Sequence, residues 1–96
     1  MNNIGDLIDL EILDYINHIN KVSFSEANVT VKMLEMELGR VQLRREQLYE
    51  GMEALIDDPV EHDALSREFI QTYIAEHKIN DRIGITKRYS EIKGVH

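Results

Sequence analysis

Between Val31 and Leu55 the chain places apolar side chains alternately three and four residues apart. They are Val31, Leu34, Leu38, Val41, Leu48, Met52 and Leu55, and Arg45 holds the one seam position that is not apolar. This spacing lines the side chains up along one edge of a continuous helix, as in coiled coils and helical bundles. A small chain built around such a helix has few folds open to it, because a second helix must cover the seam, from the same chain or from another copy. Arg45 either specifies register or partner, or lies at the rim of the contact with its charge in water.

Signals on either side bound the seam helix. Ser23 and Glu26 are spaced as in a capping box, and Ser25 offers a second cap, so the helix is expected over about 25–57. At 1.5 Å per residue that is a rod of roughly 45 Å. Gly39 and Gly51 weaken it by up to about 1 kcal/mol each without breaking the seam. Asp58, Pro59 and Glu61 then supply an N-cap, a first-position proline and an acid in the first turn. The proline ring also disfavours a helical Asp58, so one helix stops where the next begins.

The following helix is expected over about 59–83. Leu65, Phe69, Ile79 and Ile83 lie near one line, while Ile70, Tyr73, Ile74 and His77 widen its apolar face. After Gly84 the pattern moves to Ile85, Tyr89 and Ile92, about 200° round the helix, which predicts a break and a short last helix over 85–93. Ahead of the seam, residues 4–20 read as one helix with Ile4, Ile8, Ile12, Tyr15, Ile16 and Ile19 on one face. Leu7, Leu10 and Leu13 lie on other sides, so this helix is expected to be covered from more than one direction. The fold class is therefore all-α: a single domain over 1–96 containing a long antiparallel helical hairpin, an N-terminal helix and a short C-terminal helix. The excess apolar surface predicts a homodimeric bundle.

Charge narrows the partners. The net charge of −7 disfavours nucleic acid and anionic lipid, which are bound through Lys and Arg. Residues 1–20 carry −4, residues 21–77 carry −6 and residues 78–96 carry +3, so the C-terminal end is suited to an acidic surface such as the N-terminus of a second copy. Nothing approaches the roughly 18–20 apolar residues of a membrane span, and no basic, then apolar, secretory leader opens the sequence. The lack of cysteine removes thiol chemistry and fits a reducing cytoplasm. The expected partner is a protein, with no membrane and no nucleic acid.

Catalytic chemistry finds little support. Asp14 and His18, and Asp58 and His62, are four apart, but two ligands do not make a metal site. Glu50 and Glu53 form a Glu-x-x-Glu pair similar to that of the MazG-type nucleotide pyrophosphohydrolases. No second Glu-x-x-Asp pair follows it. The length is similar to that of the small helical chorismate mutases, yet residues 1–20 lack the arginine that their first helix uses. No nucleophile triad or phosphate-binding glycine loop is evident, so no catalytic, cofactor or metal residue is assigned. A stripe of carboxylates remains, Glu46, Glu50, Glu53 and Asp57, spaced about 5–6 Å apart on a helix like phosphates along a nucleic-acid strand. The expected function is a non-enzymatic, oligomeric interaction module: an adaptor, an assembly factor or a chaperone-like protein. A second reading is an acidic inhibitor imitating nucleic acid, and a third is a small divalent-metal phosphohydrolase.

Overall fold

A computed structural model describes residues 4–94, and these form four helices with no strand among the described residues. They are α1 (Ile4–Asp9), α2 (Ile12–Lys21), α3 (Phe24–Ala54) and α4 (Pro59–Gly94). The two long helices pack antiparallel into a hairpin, and α1 and α2 fold back over its open end. The whole is a rod of 60 × 21 × 19 Å. Residues 1–3, 95 and 96 of the expected domain lie outside the described residues.

Local chemistry sets the ends of α3. Ser23 is its N-cap, and its hydroxyl accepts from the Glu26 amide at 3.1 Å. The C-terminal end falls at Ala54, three residues before the expected Asp57. A full reversal of direction needs a turn, and Leu55–Asp57 supply it. Leu55 closes α3 with its amide on the Gly51 carbonyl at 3.0 Å, and the Asp58 amide returns to the Leu55 carbonyl at 2.9 Å. Asp58 then caps α4 through the Glu61 amide at 3.3 Å. Gly51 lets the helices close up here, since a Cβ on it would lie 3.1 Å from Leu65 Cδ1.

α4 runs without interruption through Gly84 to Gly94, so the expected break and the separate helix over 85–93 do not exist. The reason lies in the composition of its seam. A line of buried or half-buried positions, Leu65, Phe69, Thr72, Glu76, Ile79, Ile83, Thr86 and Ser90, runs alternately four and three apart along α4, turned toward α3 and, at Thr86, toward Tyr15 of α2. Four of the eight are polar, so the stripe is hidden from a reading of apolar residues alone. Ile85 and Tyr89, which suggested a change of phase, pack on a different partner, the small core of Leu7, Tyr15 and Ile19.

That core also explains why residues 4–20 form two helices. In one unbroken helix Leu7 would lie roughly 80° from Tyr15 and 120° from Ile19, and the three side chains would not converge. The chain bends instead at Glu11, whose backbone is extended. The freed Leu10 carbonyl accepts from Arg82 Nη2 at 2.5 Å. Lys93 similarly closes α2, donating to the Ile19 carbonyl at 2.8 Å and to that of Val22. Cations at helix C-termini are favourable because the carbonyl end of the helix is negative. Arg82 and Lys93 of the basic C-terminal end thus bind the N-terminal segment of their own chain.

Arg82, only 5% exposed, also lies over the Tyr15 ring at 5.5 Å. The Tyr15 hydroxyl meets Thr86 Oγ1 at 2.6 Å, and Thr86 already spends its proton on the Arg82 carbonyl at 2.6 Å. Tyr15 must therefore be the donor, which requires a neutral phenol.

Two predictions follow from this packing. A Cβ at Gly84 meets nothing within 4 Å, so Gly84→Ala should stabilise the protein by about 0.5–1 kcal/mol in urea melts, whereas a helix break there would make it neutral or harmful. Burial raises the pKa of Tyr15 above 10.0, against a smaller opposing effect of the Arg82 charge. The folded state then holds its proton at a pH where the unfolded chain has lost it. Stability is complete below pH 10 and falls as pH rises through and beyond that value. Tyr15→Phe should remove this alkaline loss and one late-titrating step in tyrosinate absorbance.

Candidate interaction surfaces

Seven of the eight seam residues lie on α3 and Leu55 follows it in the turn, and they are covered unequally. Val31, Leu34 and Leu48 are buried, while Leu38, Val41, Arg45, Met52 and Leu55 are half-buried. The seam is therefore occupied within the chain. Arg45 is held from α4 on three sides: it pairs with Glu76, donates from Nε to Thr72 Oγ1 at 3.3 Å, and lies 4.0 Å from the Tyr73 ring centroid. Its side chain is 19% exposed and that of Glu76 is 23% exposed. A pair so far removed from water fixes which residues of the two helices lie opposite one another, since a shift by one turn would leave both charges unmatched. Ser90 and Asn28 make a second polar link between the helices at 2.8 Å. On the rim, Arg44 binds Glu68 at 2.9 Å in the open.

A second apolar stripe, absent from the expected contacts, runs along α3. Val29, Met33, Met36 and Leu43 lie four, three and seven apart, with Arg40 at the position between, on the face of α3 opposite the seam. All four are exposed. The stripe runs into an open groove of about 540 Å³ between the N-terminal helices and α3, lined by Leu7, Val22, Val29 and Met33 with His18 at its side. Its spacing is as regular as that of the first seam.

The acidic stripe is exposed along its whole length: Glu46, Glu50 and Glu53 on α3, and Asp57 in the turn. Tyr49 projects from the same stretch and is 54% exposed. A hydrogen bond to Glu53 and that residue's negative charge hold the Tyr49 phenol above its ordinary pKa. The Tyr49 ring meets Phe69 on α4 at 6.3 Å between centroids, and Phe69 meets Tyr73 edge-on at 5.4 Å. An aromatic row thus crosses from one helix to the other beside the carboxylates.

The described histidines, His18, His62 and His77, do not gather. His77, expected on a partly covered apolar face, is 80% exposed in its side chain and faces Asp81 at 3.4 Å, because the covered line of α4 passes through Glu76 and Ile79. His62 meets Ser66 at 3.4 Å, and Asp58 is engaged as a helix cap. Among the described residues no three His, Asp or Glu side chains stand together as metal ligands. No helix of the described residues is long and apolar enough to cross a membrane.

Removal of one member of the Arg45–Glu76 pair should be worse than removal of both. Arg45→Met strands the Glu76 carboxylate and should destabilise by roughly 1–3 kcal/mol in urea melts. Adding Glu76→Leu should bring stability back to within about 1 kcal/mol of the parent or above it. A neutral effect of Arg45→Met alone would contradict the central place given to the pair.

Comparison with models of protein families, with curated proteins and with solved structures found no match to this chain.

Proposed function

We propose that the chain is a non-enzymatic, self-associating protein–protein interaction module, an adaptor or assembly factor built as a rigid helical rod. One observation carries the reading: α3 has two apolar stripes, and the hairpin covers just one of them. The outward stripe of Val29, Met33, Met36 and Leu43 has the spacing that suits a further helix. Apolar surface contiguous at this scale on a small protein marks a contact site more often than a solvated face. Two of its four members are methionines, whose flexible side chains adapt to more than one partner shape. Ile70 and Ile74 on the outer side of α4 add to the surface left uncovered.

A second reading, the acidic inhibitor that imitates nucleic acid, is favoured by the exposure of Glu46, Glu50, Glu53 and Asp57 together. The two readings demand different residues. Imitation of a phosphate chain needs the carboxylates alone, whereas a module of the first kind needs apolar anchors.

The test must leave the hairpin intact. Leu38 and Leu48 are poor targets, because Leu48 is buried in the seam and a charge there would unfold the rod. Met33→Asp combined with Met36→Asp changes exposed positions instead. In sedimentation equilibrium the parent chain should dimerise, and the double variant should dimerise at least about tenfold more weakly with unchanged helical circular dichroism. A parent chain that stays monomeric up to its solubility limit would remove the self-associating part of the proposal.

A further inference from the structure

We propose that the closed end of the hairpin is a docking surface for a basic amphipathic helix of a partner protein. The inference rests on the interaction-module reading and names the chemistry of the partner.

The charge distribution is the first ground. Residues 46–68 hold eight acids and one base, a net of −7, while the remaining ten acids and ten bases cancel. The entire net charge of the chain therefore sits at one end of a 60 Å rod. Part of it has a structural use, since Asp58 caps α4 and Glu61 stands in its first turn, where the helix end is positive. Glu50 and Asp57 have no such use, and Glu53 binds only the exposed Tyr49 hydroxyl beside it. All three crowd the C-terminal end of α3, where the helix is itself negative and the last turn holds no base. Glu46, Glu50 and Glu53 also repel one another at four- and three-residue spacing. The fold is weakened by these groups, and a cationic partner would reverse the sign of the effect.

The second ground is the apolar surface among those charges. Tyr49 stands between Glu46 and Glu53, and Ile56, 74% exposed, follows it at the turn. The row from Tyr49 through Phe69 to Tyr73 spans both helices, and half-exposed tyrosines of this kind make strong anchors in interfaces. A phosphate-imitating stripe has no use for them.

Together these grounds select the occupant. Nucleic acid and anionic membranes are repelled. A second copy is a poor fit as well, since its own closed end carries the same −7 and its other end is neutral. An extended peptide has no sheet edge to join, because the described residues contain no strand. A helix with one apolar side, flanked by Lys and Arg, matches an aromatic row bordered by carboxylates.

Three synthetic amphipathic helices, sharing one leucine face and carrying Lys, Gln or Glu on the other, test this against the full chain by titration calorimetry. The Lys peptide should bind at least about tenfold more tightly than the Gln peptide at low salt, with the gap narrowing at high salt, and the Glu peptide should not bind. Two double variants should each weaken the Lys peptide by at least about tenfold: Tyr49→Ala with Ile56→Ser, which keeps the charge, and Glu50→Lys with Glu53→Lys. Reversal at the far end, Asp9→Lys with Glu11→Lys, should change binding by less than about threefold at about 0.15 M salt, where that end lies several Debye lengths away. Circular dichroism establishes that each variant is folded. Equal binding of the Lys and Gln peptides would overturn the inference, as would equal loss from the near and far reversals. Failure of all three peptides with dimerisation intact would sink the docking surface and leave the module standing. A monomeric chain that binds none would sink both.

Discussion

Two helices of 31 and 36 residues, joined by a turn too short to let them part, can bury one side each against the other and little else. Neither would hold its shape in isolation, because helices in water draw most of their stability from packing. The matched seams of α3 and α4 are thus the contact on which the rod depends. They are not uniformly apolar. Arg45, Thr72 and Glu76 form a polar layer near the middle, and Thr86, Ser90 and Asn28 form another toward the open end. Polar layers bring less stability than leucine, but they penalise every sliding of one helix along the other. A long, repetitive seam needs that constraint, since its apolar positions look alike every seven residues.

The second polar layer does more than fix register. Thr86 receives the Tyr15 hydroxyl, Arg82 reaches the Leu10 carbonyl, and Lys93 closes α2. The N-terminal helices are thus attached to α4 largely through hydrogen bonds from its buried face, around a core of three large side chains. The same arrangement brings the +3 of residues 78–96 beside the −4 of residues 1–20, which nearly neutralises the open end of the rod and leaves the closed end charged.

These features differ in how far they can be read from the sequence. The α3 seam is legible because seven of its eight positions are apolar, and the reversal is legible because Asp58 and Pro59 act within a few residues of themselves. The α4 seam is not, because Thr72, Glu76, Thr86 and Ser90 look like surface residues until their partners on α3 and α2 are known. The bend at Leu10–Glu11 leaves no local trace, with neither proline nor glycine to mark it. It is set by contacts distant in sequence, the core of Leu7, Tyr15 and Ile19 and the Arg82 guanidinium 72 residues beyond Leu10. The acidic stripe is fully legible as a row of residues, but its location at one end of a rod, beside a row of aromatic rings, is a product of the fold.

That location bears on what kind of contact the rod makes. Uniform charge along a rod keeps copies apart everywhere, but charge confined to one end keeps apart those ends alone. Side-by-side association through the outward stripe of Val29, Met33, Met36 and Leu43 is then compatible with a strongly acidic chain, because the sequence around that stripe, residues 26–45, holds three acids and four bases. The repulsion of the closed ends works against a parallel pair, which would bring two charges of −7 together at one end. It leaves an antiparallel pair unhindered, with one closed end at each extremity. Such a dimer would present two equivalent acidic, aromatic ends facing opposite ways, the geometry of a bridging adaptor rather than of a single-site inhibitor.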